Sequence, residues 1–187
     1  AYGKGLNKLR LHHRFDVKPE DDVMQISFMS RLVKQKGIDI IMKAVEEIKN
    51  IQGIQLLIVG ETQDGYLRTD IENLKGSARG RPYFAAPDEQ HLVLAGSDAI
   101  LLPSRYEPCG LVHLEGMAMG AVPITTHVGG LKDTDRDFDG DSGNGIVMQE
   151  LSNHALVRAV QRAKTLIDSK ETWRKINPDA EGFGIEF

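Results

Sequence analysis

Blocks of two kinds alternate along most of this chain. The first kind is nearly continuous in apolar residues, which is typical of strands buried on both faces of a parallel sheet. These blocks lie at 23–29, 54–59, 99–102, 122–126 and 145–148. In the second kind, apolar residues recur every three or four positions, which predicts amphipathic helices. Strands that alternate with helices form βαβ units. The pattern therefore predicts an α/β fold with a Rossmann-like, doubly wound parallel sheet.

Residues that favour helix ends set the predicted boundaries. The first helix follows the first strand and carries apolar residues from Ile38 to Ile48 on one face. A polar helix is predicted within Tyr66–Lys75, and a short strand within Arg81–Pro87. Asp88 is interpreted as the N-cap of a short helix that ends at Ala95. Ser152 is interpreted as the N-cap of a long final helix.

The predicted strands and helices all fall within residues 23–170, which form the expected sheet domain. Residues 1–22 fit no βαβ unit and are predicted to be a linker or junction, and residues 171–187 a C-terminal tail. The chain begins with Ala1 rather than Met, so we expect it to be a piece of a longer protein. No apolar block approaches the length of a membrane-spanning helix, and we expect no membrane partner.

Charge and cysteine content narrow the function classes. The formal net charge of the 187-residue chain is −4, which argues against a general nucleic-acid binder because phosphate contacts need a basic surface. A small phosphorylated ligand needs only one or two well-placed cations. The single cysteine, Cys109, excludes an intrachain disulfide and favours a reducing compartment. We therefore expect the cytoplasm, or a plastid if the source is a plant.

Two cations occupy the loop between the first strand and its helix. This loop runs from Ser30 to Gly37 and contains Arg31 and Lys36. Backbone N–H groups and the helix dipole favour an anion at a helix N-terminus, and the two cations match a diphosphate. A solvated basic loop with no ligand is the alternative interpretation.

A second loop, after the strand at 99–102, carries a carboxylate followed by Pro, Cys and Gly at the start of a helix. Glu107 lies in this loop, and Gly110 precedes the helix that begins at Leu111. The first N–H groups of a helix have no internal partner and can bind phosphate or sugar oxygens. Glu115 lies eight residues after Glu107 and leans back toward the same place. Alternatively, Glu107 caps the helix and Glu115 is a solvated helical residue.

Three segments carry a resemblance to a known family. The segments SRLVKQKGID, SDAILLPSRYEPCGL and GMAMGAVPITTHVGGLKDT, in this order and spacing, resemble the C-terminal domain of bacterial and plant starch/glycogen synthases. The resemblance runs from about Asn7 to Ile167. It implies one lobe of a two-lobed transferase of the GT-B type, with the active site between the lobes. That family moves glucose from ADP-glucose, or UDP-glucose in some members, to an α-1,4-glucan with retention and without a metal or other cofactor.

The resemblance also implies roles for individual residues. Arg31, Lys36 and Glu107 are the expected catalytic residues, the two cations neutralising the departing diphosphate and Glu107 holding the glucose. Cys109 and Gly110 are expected to contact the glucose through their backbone, and Leu111 N–H a phosphate. The expected lining of the nucleotide side of the cleft consists of Gly129, Gly130 and Leu131. The α-glucan acceptor would bind through an N-terminal lobe that this chain does not contain.

The chain departs from the family pattern at two motif positions and in one shortened segment. Glu115 stands where bacterial and plant synthases usually have Tyr, and it creates the E-x7-E pattern of related retaining transferases, with an expected contact to the ribose. Val128 replaces the usual Thr, and the stretch 61–81 is short. Two other functions therefore stay open: a retaining E-x7-E transferase with a different acceptor, and a nucleotide-sugar-binding module without catalysis.

Some apparent metal and ligand signals carry less weight. Asp135, Asp137 and Asp139 resemble the start of a calcium loop, but the twelfth position is Ile146 instead of the bidentate Glu. We therefore predict no metal site. The pair at positions 12 and 13, both His, is expected at the surface. His127, after a strand end, is interpreted either as facing the cleft or as having a structural role. The aromatic residue that stacks on the base is expected among positions 66, 83 and 84.

Overall fold

The computed structural model describes residues 2–17, 22–82 and 87–176. Its centre is a parallel sheet with the strand order β3-β2-β1-β4-β5-β6. The strands are β1 (Met24–Met29), β2 (Ile54–Val59), β3 (Ala78–Arg81), β4 (Ala99–Leu102), β5 (Val122–Thr126) and β6 (Ile146–Met148). In register, Met24 of β1 lies opposite Ile54 of β2, and Ile26 lies opposite Ala99 of β4. The direction of winding reverses between β1 and β4. This order confirms the predicted doubly wound, Rossmann-like sheet.

Helices connect the strands. They are α1 (Tyr2–Phe15), α2 (Ile38–Lys49), α3 (Gly65–Glu72), α4 (Pro87–Gly96), α5 (Leu111–Ala118), α6 (Leu131–Thr134), α7 (Asn153–Asp168) and α8 (Lys170–Ile176). A 3₁₀ turn at Lys34–Lys36 precedes α2. The Ser152 side chain accepts a hydrogen bond from Ala155 N–H, which confirms it as the cap of α7.

Two boundaries differ from their predictions. The third strand begins at Ala78 and ends at Arg81, and Pro82 follows it, whereas the predicted strand only began at Arg81. The sequence ARGR of this edge strand has one aliphatic residue, so no apolar block marks it. Helix α4 begins at Pro87. Asp88 is therefore the second residue of the helix and does not occupy the predicted N-cap position, since Pro suits the first helical position.

Each face of the sheet has its own apolar core. On one face, α2, α7 and α8 pack around Phe28, Ile41, Leu56 and Val160. On the other face, α1 and α4 pack around Leu11, Leu57, Val93 and Leu102. Both faces of the strands are therefore covered, which agrees with the continuous apolar blocks of their sequence.

The N-terminal segment is not a linker, so this part of the predicted division is wrong. Residues 2–15 form α1, which packs against α4. Leu11 and Phe15, four residues apart on one helical face, are buried. His12 is also buried, contrary to the surface position predicted for it, and its Nε2 lies 3.1 Å from Gln25 Oε1. His13 is exposed, as predicted.

The predicted tail also begins too early. Residues 171–176 belong to α8, which packs against α7. Trp173 and Ile176 are buried in the first core because the helix turns this apolar pair inward. Residues 177–187 of the predicted tail lie outside the described residues. Within the described part of the chain, no helix combines the length and apolar character that crossing a membrane requires.

Candidate functional site

Three loops meet at the carboxyl ends of the strands. The first loop (residues 30–37) follows β1, the second loop (residues 103–110) follows β4, and the third loop (residues 127–130) follows β5. A cavity of about 330 Å³ opens between the first two loops. Its polar lining comes from Ser30, Lys36, Ser104, Glu107 and Cys109, and its floor from Phe28, Leu101 and Leu102. This is the place where the winding reverses, at which open parallel sheets bind their ligands.

A close ion pair crosses the cavity. Lys36 Nζ of the first loop lies 2.5 Å from Glu107 Oε2 of the second loop. The exposed fractions of the two side chains are 16% and 8%. Glu107 also accepts hydrogen bonds from Ser104 Oγ at 3.4 Å and from Gly110 N–H at 3.3 Å, both long. The structure therefore brings together two of the three predicted catalytic side chains, 71 residues apart in the sequence.

A second set of contacts joins the first two loops. The Arg105 guanidinium donates to both oxygens of Asp39, at 2.7 and 2.8 Å, and Arg105 N–H donates to Gln35 O at 2.8 Å. Burial alone would raise the pKa of Asp39, but the hydrogen bonds and charge of Arg105 outweigh it and hold that pKa below the ordinary value. Gly37 adopts a φ of +80°, and a Cβ there would lie 1.9 Å from Pro103 O. The two loops are therefore held at a fixed distance by side chains and by backbone packing.

The third loop packs behind the second loop instead of lining the cavity. Gly130 N–H donates to Glu107 O at 2.9 Å. A Cβ on Gly129, whose φ is +51°, would lie 1.9 Å from the same carbonyl oxygen. The Leu131 side chain is fully buried in the second core, and its N–H donates to Val128 O at 3.1 Å. The Leu131 side chain therefore does not line the cavity, whereas Gly129 and Gly130 pack closely against the second loop. The contact of these three residues with the nucleotide stays a prediction.

The N-terminus of α5 faces the cavity. Gly110 precedes the helix with a φ of +68°, a conformation that favours glycine. Cys109 is exposed, and Leu111 is 65% exposed. Both residues line the cavity. The N–H groups of Leu111 and Val112 have no partner within the helix, so they are available to an anion.

Arg31 and Glu115 stand apart from this arrangement. Both side chains are exposed, and neither lines the cavity. Arg31 belongs to the first loop and Glu115 to the second turn of α5, so both lie close in sequence to cavity residues. The side chain of His127 is also exposed.

Two supporting residues escaped the sequence analysis. Ser104 is buried beside Glu107, and its carbonyl accepts a hydrogen bond from Thr126 Oγ1 at 2.6 Å. Asp39 was not singled out, although it is the partner of Arg105. The sequence could have indicated Ser104, because it follows a buried strand and Pro103 directly. No sequence pattern indicates the Asp39–Arg105 pair, because the two residues are 66 positions apart.

The carboxylates of the calcium-like segment (residues 135–146) form contacts within the protein. Asp137 pairs with Arg162, at 2.8 and 3.0 Å, and accepts from Val147 N–H. Asp139 accepts the N–H groups of residues 141 and 142. Across residues 2–17, 22–82 and 87–176, no group of three His, Cys, Asp or Glu side chains is placed to hold a metal ion. Of the aromatic candidates for base stacking, Tyr66 is 89% exposed on α3, and Tyr83 and Phe84 lie outside the described residues.

Curated relatives share this chain's sequence over most of its length. The glycogen synthase of Desulfitobacterium hafniense is 33% identical over 186 residues, which cover 95% of this chain and 39% of the relative. The glycogen synthase of Bacillus subtilis is 33% identical over 175 residues, covering 91% of this chain and 36% of the relative. The chain thus spans less than two fifths of the length of these two relatives.

Solved structures share the fold. The catalytic domain of starch synthase IV from Arabidopsis thaliana, bound to ADP and acarbose, has a TM-score of 0.78 and 26% identity, covering 95% of this chain and 38% of that one. Anabaena Alr3699/HepE in complex with UDP-glucose has a TM-score of 0.72 and 19% identity, covering 96% of this chain and 48% of that one. The second likeness is one of fold alone.

A family model covers most of the chain and agrees with the fold and with the loops around the cavity. The model described as "Glycosyl transferases group 1" matches residues 10–180. The match includes β1 to β6 and all three loops. This chain therefore belongs to the glycosyl transferases of group 1.

Proposed function

We propose that this chain is the donor-binding half of a glycosyltransferase that moves glucose from ADP-glucose, or UDP-glucose, to an α-1,4-glucan with retention. The observation that carries the proposal is the Lys36–Glu107 pair in a cavity of about 330 Å³ that also receives the N-terminus of α5. A cation, unpaired helix N–H groups and a carboxylate in one cavity match the diphosphate and hydroxyl groups of a nucleotide sugar.

Each group of the cavity has a proposed role. Negative charge builds on the diphosphate as it leaves, and Lys36, Arg31 and the Leu111 N–H stabilise it. Glu107 accepts hydrogen bonds from the glucose hydroxyl groups, together with the backbone of Cys109 and Gly110. Because Lys36 already contacts Glu107, one cation can serve both the phosphate and the sugar ends of the donor. No step in this scheme needs a metal ion.

The nucleoside end of the donor is assigned to residues beyond the cavity. Glu115 is proposed to contact the ribose, because helical side chains lean toward the N-terminus of their helix, where the donor binds. Removing it should weaken ADP-glucose binding and leave glucose-1-phosphate, which has no ribose, unaffected. ADP is the first choice of nucleotide because the starch synthase IV structure contains it. An exposed thiol at Cys109 suits a reducing compartment, for which we propose the cytoplasm.

Calorimetry on this chain tests donor binding. ADP and UDP are titrated in EDTA, into the original chain and into Lys36→Ala and Lys34→Ala. Lys34 is the matched control, since it is an exposed lysine of the same loop that does not line the cavity. We expect weak binding that survives EDTA and falls by about tenfold or more only in Lys36→Ala, since a charged hydrogen bond is worth about 1.5–3 kcal/mol. Binding that needs a divalent ion would refute the metal-free scheme.

A transfer assay tests whether this chain supplies only the donor half of the active site. Transfer needs donor and acceptor close together with water excluded, and in this proposal a second lobe supplies the acceptor side. Labelled glucose from ADP-glucose should stay out of glycogen with this chain alone. Fusion to the N-terminal lobe of a relative should restore transfer, and Arg31→Ala in the fusion should abolish most of it. Incorporation by the isolated chain would contradict the proposal.

Two other functions are separated by the same assays. Glu115 favours a retaining transferase of the E-x7-E kind with a small-molecule or lipid acceptor. If this alternative is right, the fusion protein should bind the donor and hydrolyse it without extending glycogen. A binding module without catalysis would bind donor and neither transfer nor hydrolyse glucose in any fusion.

A further inference from the structure

A buried polar pair packs against Gly110, which lines the donor cavity. The His113 side chain on α5 is 0% exposed, and the Asp135 side chain just after α6 is 1% exposed. His113 Nε2 lies 3.0 Å from Asp135 Oδ1 and 2.9 Å from Thr134 Oγ1. We infer that His113 and Asp135 are positioning residues that hold Glu107 and the second loop in the shape that binds the donor. The inference rests on the proposed function.

The pair reaches Glu107 through two routes. On one side, the His113 ring packs against Gly110, where a Cβ would lie 2.5 Å from Nδ1, and Gly110 N–H donates to the Glu107 carboxylate. On the other side, Thr134 Oγ1 contacts Gly130 O at 3.2 Å, and Gly130 N–H donates to Glu107 O. The side chain and the backbone of one donor-binding residue are therefore both tied to the same imidazole.

Stability alone does not account for this pair. Two ionisable groups lose their hydration here, and apolar residues of similar volume are often as good or better for stability. Two of their buried atoms, His113 Nδ1 and Asp135 Oδ2, have no hydrogen-bond partner among the described residues, which adds to the cost. We infer that the pair instead fixes the orientation of α5. Its hydrogen bonds join α5 to Thr134 and Asp135 at the end of α6 in one orientation, because hydrogen bonds depend on angle and apolar contacts do not.

The two ring nitrogens give a matched pair of variants. Gln places an amide N–H near the position of Nε2 and can still donate to Asp135. Asn places its amide near Nδ1 and loses that contact. Leu fills the volume without any hydrogen bond. Leu114→Ala, at an exposed neighbour on the same helix, is the control for a change in α5 itself.

Three readouts are measured on each variant: the urea midpoint of unfolding, ADP affinity by calorimetry, and the rate at which iodoacetamide alkylates Cys109. Cys109 is the single cysteine of the chain and lies in the second loop, so its alkylation reports the shape of that loop. We expect His113→Leu and His113→Asn to lose about tenfold or more in ADP affinity and to change the Cys109 rate by about threefold or more. We expect His113→Gln and Leu114→Ala to stay close to the original chain. The urea midpoint of His113→Leu should fall, because Asp135 stays buried without its partner; the loss of ADP affinity and the change in the Cys109 rate should exceed what this loss of stability explains.

The outcomes separate the two proposals. If the original chain binds neither ADP nor UDP, the proposed function fails, and the Cys109 rate still decides the inference. If the chain binds ADP and His113→Leu binds it equally well with an unchanged Cys109 rate, the positioning role is wrong. It is also wrong if affinity falls only in proportion to stability across all four variants, because that pattern describes a residue needed merely for folding.

Discussion

Removal of Lys36 should cost the protein stability as well as donor binding. In Lys36→Met, the Glu107 carboxylate, 8% exposed, loses its close partner at 2.5 Å and keeps two long hydrogen bonds of 3.3 and 3.4 Å. Breaking a buried ion pair from one side typically costs about 3–5 kcal/mol. Because Lys36 is 16% exposed and water can reach Glu107 through the cavity, we expect about 2–3 kcal/mol here. In a protein of this size, that loss lowers Tm by roughly 5–10 °C.

The assay is a double-mutant cycle in urea. Lys36→Met, Glu107→Gln and the double variant are unfolded in parallel, and the free energies of unfolding are compared. The double variant carries no unpaired charge at the site. It should therefore be more stable than the sum of the single losses predicts, with a coupling of about 1–2 kcal/mol. Single losses below about 0.5 kcal/mol that add without coupling would refute the claim that this is a desolvated ion pair.

Three further predictions concern the loops and α1. Gly129→Ala should destabilise by about 1–3 kcal/mol and change the rate of Cys109 alkylation, since the new Cβ would lie 1.9 Å from Glu107 O; an unchanged melting curve would contradict this. Burial lowers the pKa of Lys4 to about 8. The unfolded chain therefore binds more protons between about pH 8 and 10.5, and stability should rise over that range by about 1–3 kcal/mol relative to Lys4→Met, in denaturation curves at fixed pH. Because Arg105 lowers the pKa of Asp39, their pair should add about 0.5–1 kcal/mol above about pH 4 that is lost as pH falls through the lowered pKa. In Arg105→Ala, the free energy of unfolding should not show this decrease below about pH 4.

The sheet was predictable because most of its strands are buried on both faces. Such strands appear in the sequence as continuous apolar blocks, which can be recognised without knowing any tertiary contact. β3 was placed too late because an edge strand with the sequence ARGR has no such signature. Helix α1 was not predicted because its apolar residues are buried by packing mainly against α4, about 80 residues further along the chain. Gly96 allows this approach, since a Cβ there would lie 2.9 Å from Leu11 Cβ.

The site was predictable residue by residue but not as a set of contacts. Arg31, Lys36 and Glu107 stand out because charges follow strand ends, and that local rule locates the loops. The pairing of Lys36 with Glu107 depends on how β1 and β4 lie side by side, which no local pattern contains. His113 was hidden for a similar reason. In the sequence its partner Asp135 resembles the first residue of a calcium loop, whereas its side chain is buried beside His113.

The central claim is that the glucose and diphosphate of a nucleotide sugar occupy the cavity between the first and second loops without a metal ion. Alkylation of Cys109 tests it most directly, because this exposed thiol lines that cavity and is the single thiol of the chain. In EDTA, saturating ADP-glucose should slow the reaction with iodoacetamide by about tenfold, and Lys36→Ala should lose the protection at the same donor concentration. ADP-glucose that binds by calorimetry yet leaves the alkylation rate of Cys109 unchanged would place the donor elsewhere and contradict the account.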